Sequence, residues 1–443
     1  MTDGRDLLVV SIGGAGDTYP VLALAVRLRD RGRRVRFIGN ARFAPLAASL
    51  ALDFIAYDHG AALVESSAGP RWMRLSWMYQ SLARSRRRTR SYIGPMRWLY
   101  ERISREDPRR TAVVARANAL GARLAQEKLG IPLVSVQLQP VAFRSVYDSP
   151  GLPLPRFAGN GIRRAMWSAI DASIGWTITP ELNRFRTELG LAPVRRPLRR
   201  WIYSPDLVIG LFPEWFGPPQ PDWPPNTLLA GFSLFDESGF RQAPPELESF
   251  LGAGAPPIVF TRGSHSRQAE ARAFFETSVE IARRLGRRAV LLARERDSMP
   301  GTLPEGVAYF GFVPLSRILP RAAALVHHGG VGTAAQAFAA GIPQLAVPLA
   351  DDQPDNAARI ERLGAGLRLP ARMYQPATVV RELKRLLDSA EVAATCGRLA
   401  AAVGARDSLG IACDAIEAML SREPGPSPTA ASMHAGSRPT PPR

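Results

Sequence analysis

Residues His327 to Asn356 (HHGGVGTAAQAFAAGIPQLAVPLADDQPDN) leave this chain few ways to fold. The apolar run Ala322 to Val326 just before them reads as a buried strand of a parallel sheet. Gly329, Gly330 and Gly332 then turn the chain into a helix starting at about Thr333, with Ala334, Ala335, Ala337, Phe338 and Ala340 as helix formers. Gly341 ends that helix, Ile342-Pro343 opens the next strand (Gln344 to Pro348), and this strand delivers Asp351, Asp352, Gln353 and Asn356 to its C-terminal edge. Strand, glycine turn and helix N-terminus together make an anion site: glycine lets the backbone approach a phosphate, while unpaired N–H groups and the helix dipole favour negative charge. His328 and Thr333 add side-chain donors at the same spot. Ligands of open α/β sheets bind at this edge. The stretch therefore predicts a diphosphate on the turn and a polyhydroxylated group within reach of Asp352 and Gln353. A glycine cluster alone would fit any loop; the conjunction of both ends at this separation is the informative part.

The same stretch resembles the nucleotide-sugar signature of the family 1 glycosyltransferases, in which HxGxxGT or HCGWNS is followed by AGxPxxxxPxxxDQxxN. The resemblance implies an α/β chain of GT-B fold, two Rossmann-like doubly wound domains with a cleft between them. It places His328, Gly330, Val331, Gly332 and Thr333 on the diphosphate and Asp352 and Gln353 on sugar hydroxyls. The small polar loop after the strand Ile258 to Thr261 puts Ser264 on a phosphate, and GFVP (Gly311 to Pro314) matches the family's base-binding step. Phe312 then stacks on the pyrimidine and Val313 bonds it through its backbone; as an alternative, Phe312 is ordinary core. Plant UDP-glucose enzymes carry a Glu eight residues after the phosphate His, where this chain has Gln336, which fits a dTDP-sugar.

At 443 residues the chain is long for one domain. The expected division is an acceptor-binding domain over 1–215, a linker over 216–240 dense in proline, a nucleotide-sugar domain over 241–400, a closing helix over 401–422 that returns to the first domain, and a disordered tail over 423–443. His434 lies in that tail and is expected to have no role. The net charge is +18, yet of 57 basic residues only Lys128 and Lys384 are lysines. Arginine spread through every segment fits codon bias as well as attraction to an acidic substrate, an anionic membrane surface or a nucleic acid. A nucleic-acid partner explains the charge but not His327 to Asn356, and none is expected. Cys396 and Cys413 have no metal or disulfide spacing, Asp3 and Asp6 precede a strand with no signal peptide, and no apolar run reaches the ~20 residues of a membrane span. A cytoplasmic protein, at most peripheral to the membrane, is expected.

In the first half, Leu7 to Ile12 reads as a central strand, followed by Gly13, Gly14 and Gly16, by Pro20 in the first turn of a helix, and by a second strand at Val35 to Ile38. The turn GGAGDTYP lacks the dinucleotide pattern and presents Asp17 instead. Asp17 is either a helix N-cap or a general base on the loop facing the other domain. Many family members carry a His here, whereas the sterol, antibiotic and rhamnolipid branch has GDxxP, so the resemblance implies Asp17 as catalytic base. Residues 71–110 mix arginine with Trp72, Trp77, Trp98, Tyr79, Tyr92 and Tyr100. They read as an amphipathic helix pair lining an acceptor cleft, with membrane contact of the segment 84–110 as the alternative. Further strands are expected at Thr111 to Val114 and Leu133 to Val136, and the last strand of this domain at Ser204 to Phe212.

The wording of several stretches is also close to the rhamnolipid-type rhamnosyltransferases. That resemblance implies inverting transfer of rhamnose from dTDP-rhamnose to a hydroxyl of a hydroxyalkanoyl lipid acid, with a partner enzyme supplying the acceptor. No cofactor beyond the nucleotide-sugar donor is implied, and no metal, since Asp351-Asp352 has no further ligands near it in sequence. The alternatives are a UDP-glucose or dTDP-deoxysugar transferase acting on a sterol or polyketide, and, from another class, a non-catalytic helper subunit of the same fold.

Overall fold

The computed structural model describes residues 4–57, 93–155, 157–263 and 268–422. Ser264, most of the Arg- and Trp-rich stretch 71–110 and the tail 423–443 with His434 lie outside the described residues or partly so. Among the described residues thirteen strands form two sheets, parallel throughout. The first contains β1 (Asp6–Val10), β2 (Val35–Asn40), β3 (Asp53–Tyr57), β4 (Thr111–Arg116), β5 (Leu133–Gln137), β6 (Leu207–Gly210) and β7 (Thr227–Leu229), in the order β3-β2-β1-β4-β5-β6-β7. The second contains β8 (Ile258–Thr261), β9 (Ala289–Leu292), β10 (Val307–Phe310), β11 (Ala324–His327), β12 (Gln344–Ala346) and β13 (Gly366–Arg368), in the order β10-β9-β8-β11-β12-β13.

Parallel strands need crossovers, and helices on both faces of a sheet bury each strand twice, which is why the central strands are runs of Val, Leu, Ile and Ala. Leu7 to Val10, Val113, Val114, Val259, Leu325 and Val326 are fully shielded from solvent. Each sheet reverses its strand order once: between β1 and β4 in the first, and between β8 and β11 in the second. The loops that leave the C-terminal ends of these strand pairs diverge to opposite faces and open a crevice.

Several expectations need correction. The first sheet does not end at β6, because Thr227–Leu229, inside the stretch taken as linker, adds the edge strand β7. Proline excludes regular structure only where it stands, and Thr227 to Leu229 has none. The first helix, Ala15–Asp30, starts at Gly14 as N-cap, so Pro20 lies in its second turn. The glycine-turn helix, Val331–Ala340, begins two residues before Thr333. β3, β13 and the long helix Asn160–Glu188 carry no clear periodicity: β3 is half exposed, β13 has three residues, and the helix buries only Trp167, Asp171, Ile178, Leu182, Phe185 and Arg186 along its length.

The two sheets are tied by three devices. Trp215, Phe216 and Phe232 of the proline-dense crossover pack edge-on and stacked against Phe338 of the helix Val331–Ala340. The last helix, Ser408–Leu420, sets Ala412, Cys413, Ile416 and Leu420 into one core with Leu7, Val9, Val21, Leu24 and Leu28. Arg359 of the helix Gln353–Arg362 reaches Asp148, in the loop after β5, at 2.6 Å. Among the described residues no helix is long and apolar enough to cross a membrane.

Candidate functional site

In the second sheet the site grows from the end of β11. His327, the last residue of the strand, is fully buried, and its Nδ1 accepts the Gly329 N–H at 3.2 Å. Burial, reinforced by the charge of His328 and partly opposed by the Gln344 amide oxygen as an acceptor for the imidazole N–H, pushes its imidazole down to about 3. His327 is therefore a neutral acceptor that shapes the turn, while His328, half-buried, faces the pocket. Gly329 has φ of +85°, the left-handed region that favours glycine, and Gly330 is the helix N-cap. A side chain on Gly330 would come within 2.5 Å of the His328 ring, and one on Gly263, in the loop after β8, within 2.6 Å. Both glycines let the backbone close around His328.

The second half of the signature folds onto the first. Asn356 Nδ2 donates to the Gly329 carbonyl at 3.0 Å and to Asp352 Oδ2 at 2.7 Å, so one side chain joins the glycine turn to the acidic edge. Gln353 Oε1 accepts the N–H groups of Leu349 and Ala350 at 2.8 and 3.1 Å, leaving its amide N–H groups to donate outward. Thus His328, Gly330, Val331, Gly332, Thr333, Asp352 and Gln353 come together at the ends of β11 and β12. A cavity of about 280 Å³ beside His328 is lined by Thr261, Arg262, Phe274, Leu349 and Tyr374, among others.

Phe312 and Val313 follow β10 at the edge of the same sheet. Val313 is a buried core side chain, so only its backbone is available to a ligand. Phe312 is half-buried, with the Arg241 guanidinium 4.5 Å from its ring centroid. Gln336 is buried and donates its amide to the Leu234 carbonyl at 2.7 Å. A carboxylate could not make that bond, so the residue that replaces the plant-type Glu here also fastens the crossover segment.

In the first sheet the corresponding corner lies between β1 and β4. Asp17 is not the N-cap but the third residue of its helix, and its Oδ2 accepts the Gly14 N–H at 3.3 Å. Its Oδ1 lies 3.1 Å from Arg116 Nη2, at the end of β4. Both residues are nearly buried, 8% and 7% exposed. Gly13 has φ of +136°, and any side chain there would collide with the Asp17 carboxylate at 2.3 Å. Arg116 escapes a reading of the sequence because the apolar run suggests a strand ending at Val114; the available signal is a charged residue closing the otherwise apolar AVVAR. Among the described residues no group of three or more His, Cys, Asp or Glu side chains is placed to hold a metal ion.

The two corners meet. Val331, first residue of the glycine-turn helix, is half-buried against the core that the first sheet shares with the helix Ser408–Leu420. Tyr19, two residues after Asp17, hydrogen-bonds Glu237 of the crossover, near Arg241. The helix N-terminus thus abuts the first sheet.

A consequence for stability follows from His327. In the unfolded chain an imidazole protonates near pH ~6.5; in the folded chain it stays neutral down to about 3. Its folded value being depressed, the protein loses stability as pH falls below ~6.5, by about 1.4 kcal/mol per pH unit until the folded value is reached. Chemical unfolding at pH 7, 6 and 5 measures this slope, which His327→Gln should flatten; an unchanged slope means that the imidazole does not stay neutral.

Comparison with known proteins gives a consistent result. Residues 285–416 match the family model described as erythromycin biosynthesis protein CIII-like, C-terminal domain. The O-mycaminosyltylonolide 6-deoxyallosyltransferase of Streptomyces fradiae is 35% identical over 259 residues, 58% of this chain and 60% of that relative's length. The vancomycin aglycone glucosyltransferase of Amycolatopsis orientalis is 29% identical over 365 residues, 82% of this chain and 85% of that protein. Among solved structures, the glycosyltransferase of kitacinnamycin superposes with a TM-score of 0.72 at 20% identity, covering 94% of this chain and 99% of the other. The glycosyltransferase VinC in complex with dTDP gives 0.66 at 19% identity over 95% of this chain and 100% of that one.

Proposed function

We propose that this chain is a family 1 glycosyltransferase of GT-B fold, of the antibiotic and sterol branch, and that it transfers a deoxyhexose from a dTDP-sugar to a hydroxyl of a large apolar aglycone of polyketide type. The observation that carries the reading is the apposition of the two corners, an Asp17–Arg116 pair at the β1/β4 reversal and a glycine-turn helix at the β8/β11 reversal, with Val331 packed against the first sheet.

In this reading the diphosphate lies on the N–H groups of Gly330 to Thr333 beside His328, and Asp352 and Gln353 take sugar hydroxyls. Asp17 accepts the proton of the acceptor hydroxyl as its oxygen forms a bond to the anomeric carbon. The bond from that carbon to the diphosphate breaks on the opposite face, so the configuration inverts. The negative charge that develops on the leaving diphosphate is met by preorganised N–H donors and the helix dipole, so this step needs no metal. The dTDP preference is supported by Gln336, whose amide is committed to Leu234, and by the dTDP named with VinC. The deoxysugar choice is supported by the Streptomyces fradiae relative, an O-mycaminosyltylonolide 6-deoxyallosyltransferase. A second reading, dTDP-rhamnose with a hydroxyalkanoyl lipid acid as acceptor, rests on the resemblance of several stretches to rhamnolipid-type enzymes, with the basic surface suiting an acidic acceptor.

The test is thermal stabilisation of the purified protein by dTDP, UDP, GDP, dTDP-rhamnose and UDP-glucose. A ligand at 100 times its dissociation constant adds about 2.7 kcal/mol. Preference for dTDP and its deoxysugar conjugates is expected. Preference for UDP-glucose overturns the donor assignment, and no response to any nucleotide overturns the enzyme reading in favour of a helper subunit.

A further inference from the structure

We infer that Arg116 is the positioning residue of the reaction: a buried guanidinium that aims and charges the Asp17 carboxylate. This rests on the reading of Asp17 as base. The residue closes β4, whose Ala115 pairs in register with Val10 of β1, so the strand order itself sets the guanidinium beside the loop Gly13–Asp17. Among the described residues, Nε and Nη1 of Arg116 meet no hydrogen-bond acceptor, and its ion pair is with Asp17.

That arrangement is costly for a purely structural role. A buried ion pair gains little over apolar residues of the same shape, and a guanidinium with unmade hydrogen bonds gains less. Its specific effect is on the carboxylate. Arg116 holds Oδ1 at 3.1 Å and the Gly14 N–H holds Oδ2 at 3.3 Å, so both oxygens are fixed. An ionised carboxylate has about four acceptor sites. Proton uptake by Asp17 during turnover would leave the guanidinium without its counter-charge in a desolvated corner, so the pair resists protonation until sugar transfer is advanced. The other charged or titratable groups at this corner are more remote partners. Arg42 Nη2 donates to the Gly13 carbonyl at 3.2 Å, the Tyr57 hydroxyl accepts the Gly13 N–H at 3.3 Å, and Tyr19 is engaged by Glu237. Arg116 touches the carboxylate directly, Nη2 to Oδ1.

The experiment follows the Asp17 carboxyl directly. Protein labelled with ¹³C at aspartate Cγ is titrated by NMR, and the Asp17 signal is identified by its loss in Asp17→Asn. In Arg116→Gln the midpoint should move up by about one to three pH units, the effect of removing an adjacent guanidinium. Arg116→Lys, which keeps the charge, should return the midpoint most of the way to its wild-type value. In parallel, transfer from dTDP-rhamnose to 4-nitrobenzyl alcohol should show the acidic limb of kcat/KM moving in the same direction, with KM for the donor unchanged. An Asp17 midpoint unmoved in Arg116→Gln overturns the inference whatever the activity. A moved midpoint with undiminished turnover in Asp17→Asn overturns the base assignment instead, and with it the role of Arg116 in the reaction. Retention of dTDP-induced thermal stabilisation in Arg116→Gln shows that the variant is folded; should that variant fail to fold, Arg116→Met carries the titration, and the same upward movement of the midpoint is then required.

Discussion

Asp17→Asn is expected to lower kcat by a factor of about 10² to 10⁴, the usual contribution of a positioned general base. The substitution keeps the side chain's shape, and the amide oxygen can still accept the Gly14 N–H that now lies 3.3 Å from Oδ2. What it removes is basicity and the negative charge beside Arg116. The second loss has a separate signature. A buried guanidinium deprived of its carboxylate is destabilising, so the melting temperature should fall together with the rate. Donor binding is the control. His328, Gly330 and Thr333 lie at the end of the other sheet, so the thermal shift given by dTDP should persist. Full activity in the variant removes Asp17 from the reaction; loss of the dTDP response instead points to collapse of the cleft.

Arg359→Met should cost about 3 to 5 kcal/mol of stability, the cost of leaving buried charge unpaired. Arg359 is fully buried, with Nε 2.6 Å from Asp355 Oδ2 and Nη1 2.6 Å from Asp148 Oδ2. Nη1 also donates to the Phe216 carbonyl at 3.0 Å. Asp355 Oδ1 in turn accepts the Gly151 N–H at 3.1 Å, and Arg362 reaches Asp148 Oδ1 at 2.7 Å. One guanidinium therefore joins the loop after β5, the crossover and the helix Gln353–Arg362, whose N-terminal end carries Asp352 and Gln353, the residues proposed to meet the sugar. Both stability in urea and affinity for a dTDP-sugar should fall. Combining Asp148→Asn with Arg359→Met should recover part of the loss, because fewer unpaired charges remain. Burial alone would raise the Asp148 carboxyl, but hydrogen bonds from Arg362 and Arg359 together with their charges hold it below the usual carboxylate range. Its folded value being depressed, its contribution is complete above pH ~4 and disappears as pH falls through that lower value. An Arg359→Met protein as stable as wild type would show that the charges relax into solvent.

The second sheet was the more legible half. Its strands β8, β9 and β10 begin and end at the residues that apolar runs and flanking turns mark out. The glycine turn and the acidic edge could be joined in advance because both lie within 30 consecutive residues, on adjacent strands β11 and β12. The first half was less legible. β7 hides among prolines, β3 is half exposed, and Asn160–Glu188 has no dominant apolar face, so nothing in the local pattern announces them.

What the amino-acid order determined on its own is what local physics can encode: apolar strands, glycines where the backbone must take positive φ, and a helix N-terminus ready for an anion. Only the tertiary structure decided who faces whom. Arg116 stands 99 positions from Asp17, and Arg359 stands 211 from Asp148. Each pair exists because strand order or packing between the sheets brings distant chain together, and neither spacing nor periodicity carries that information. The reason is physical: a guanidinium is sequestered only where the fold supplies a carboxylate, and the fold, not the neighbouring sequence, chooses which one.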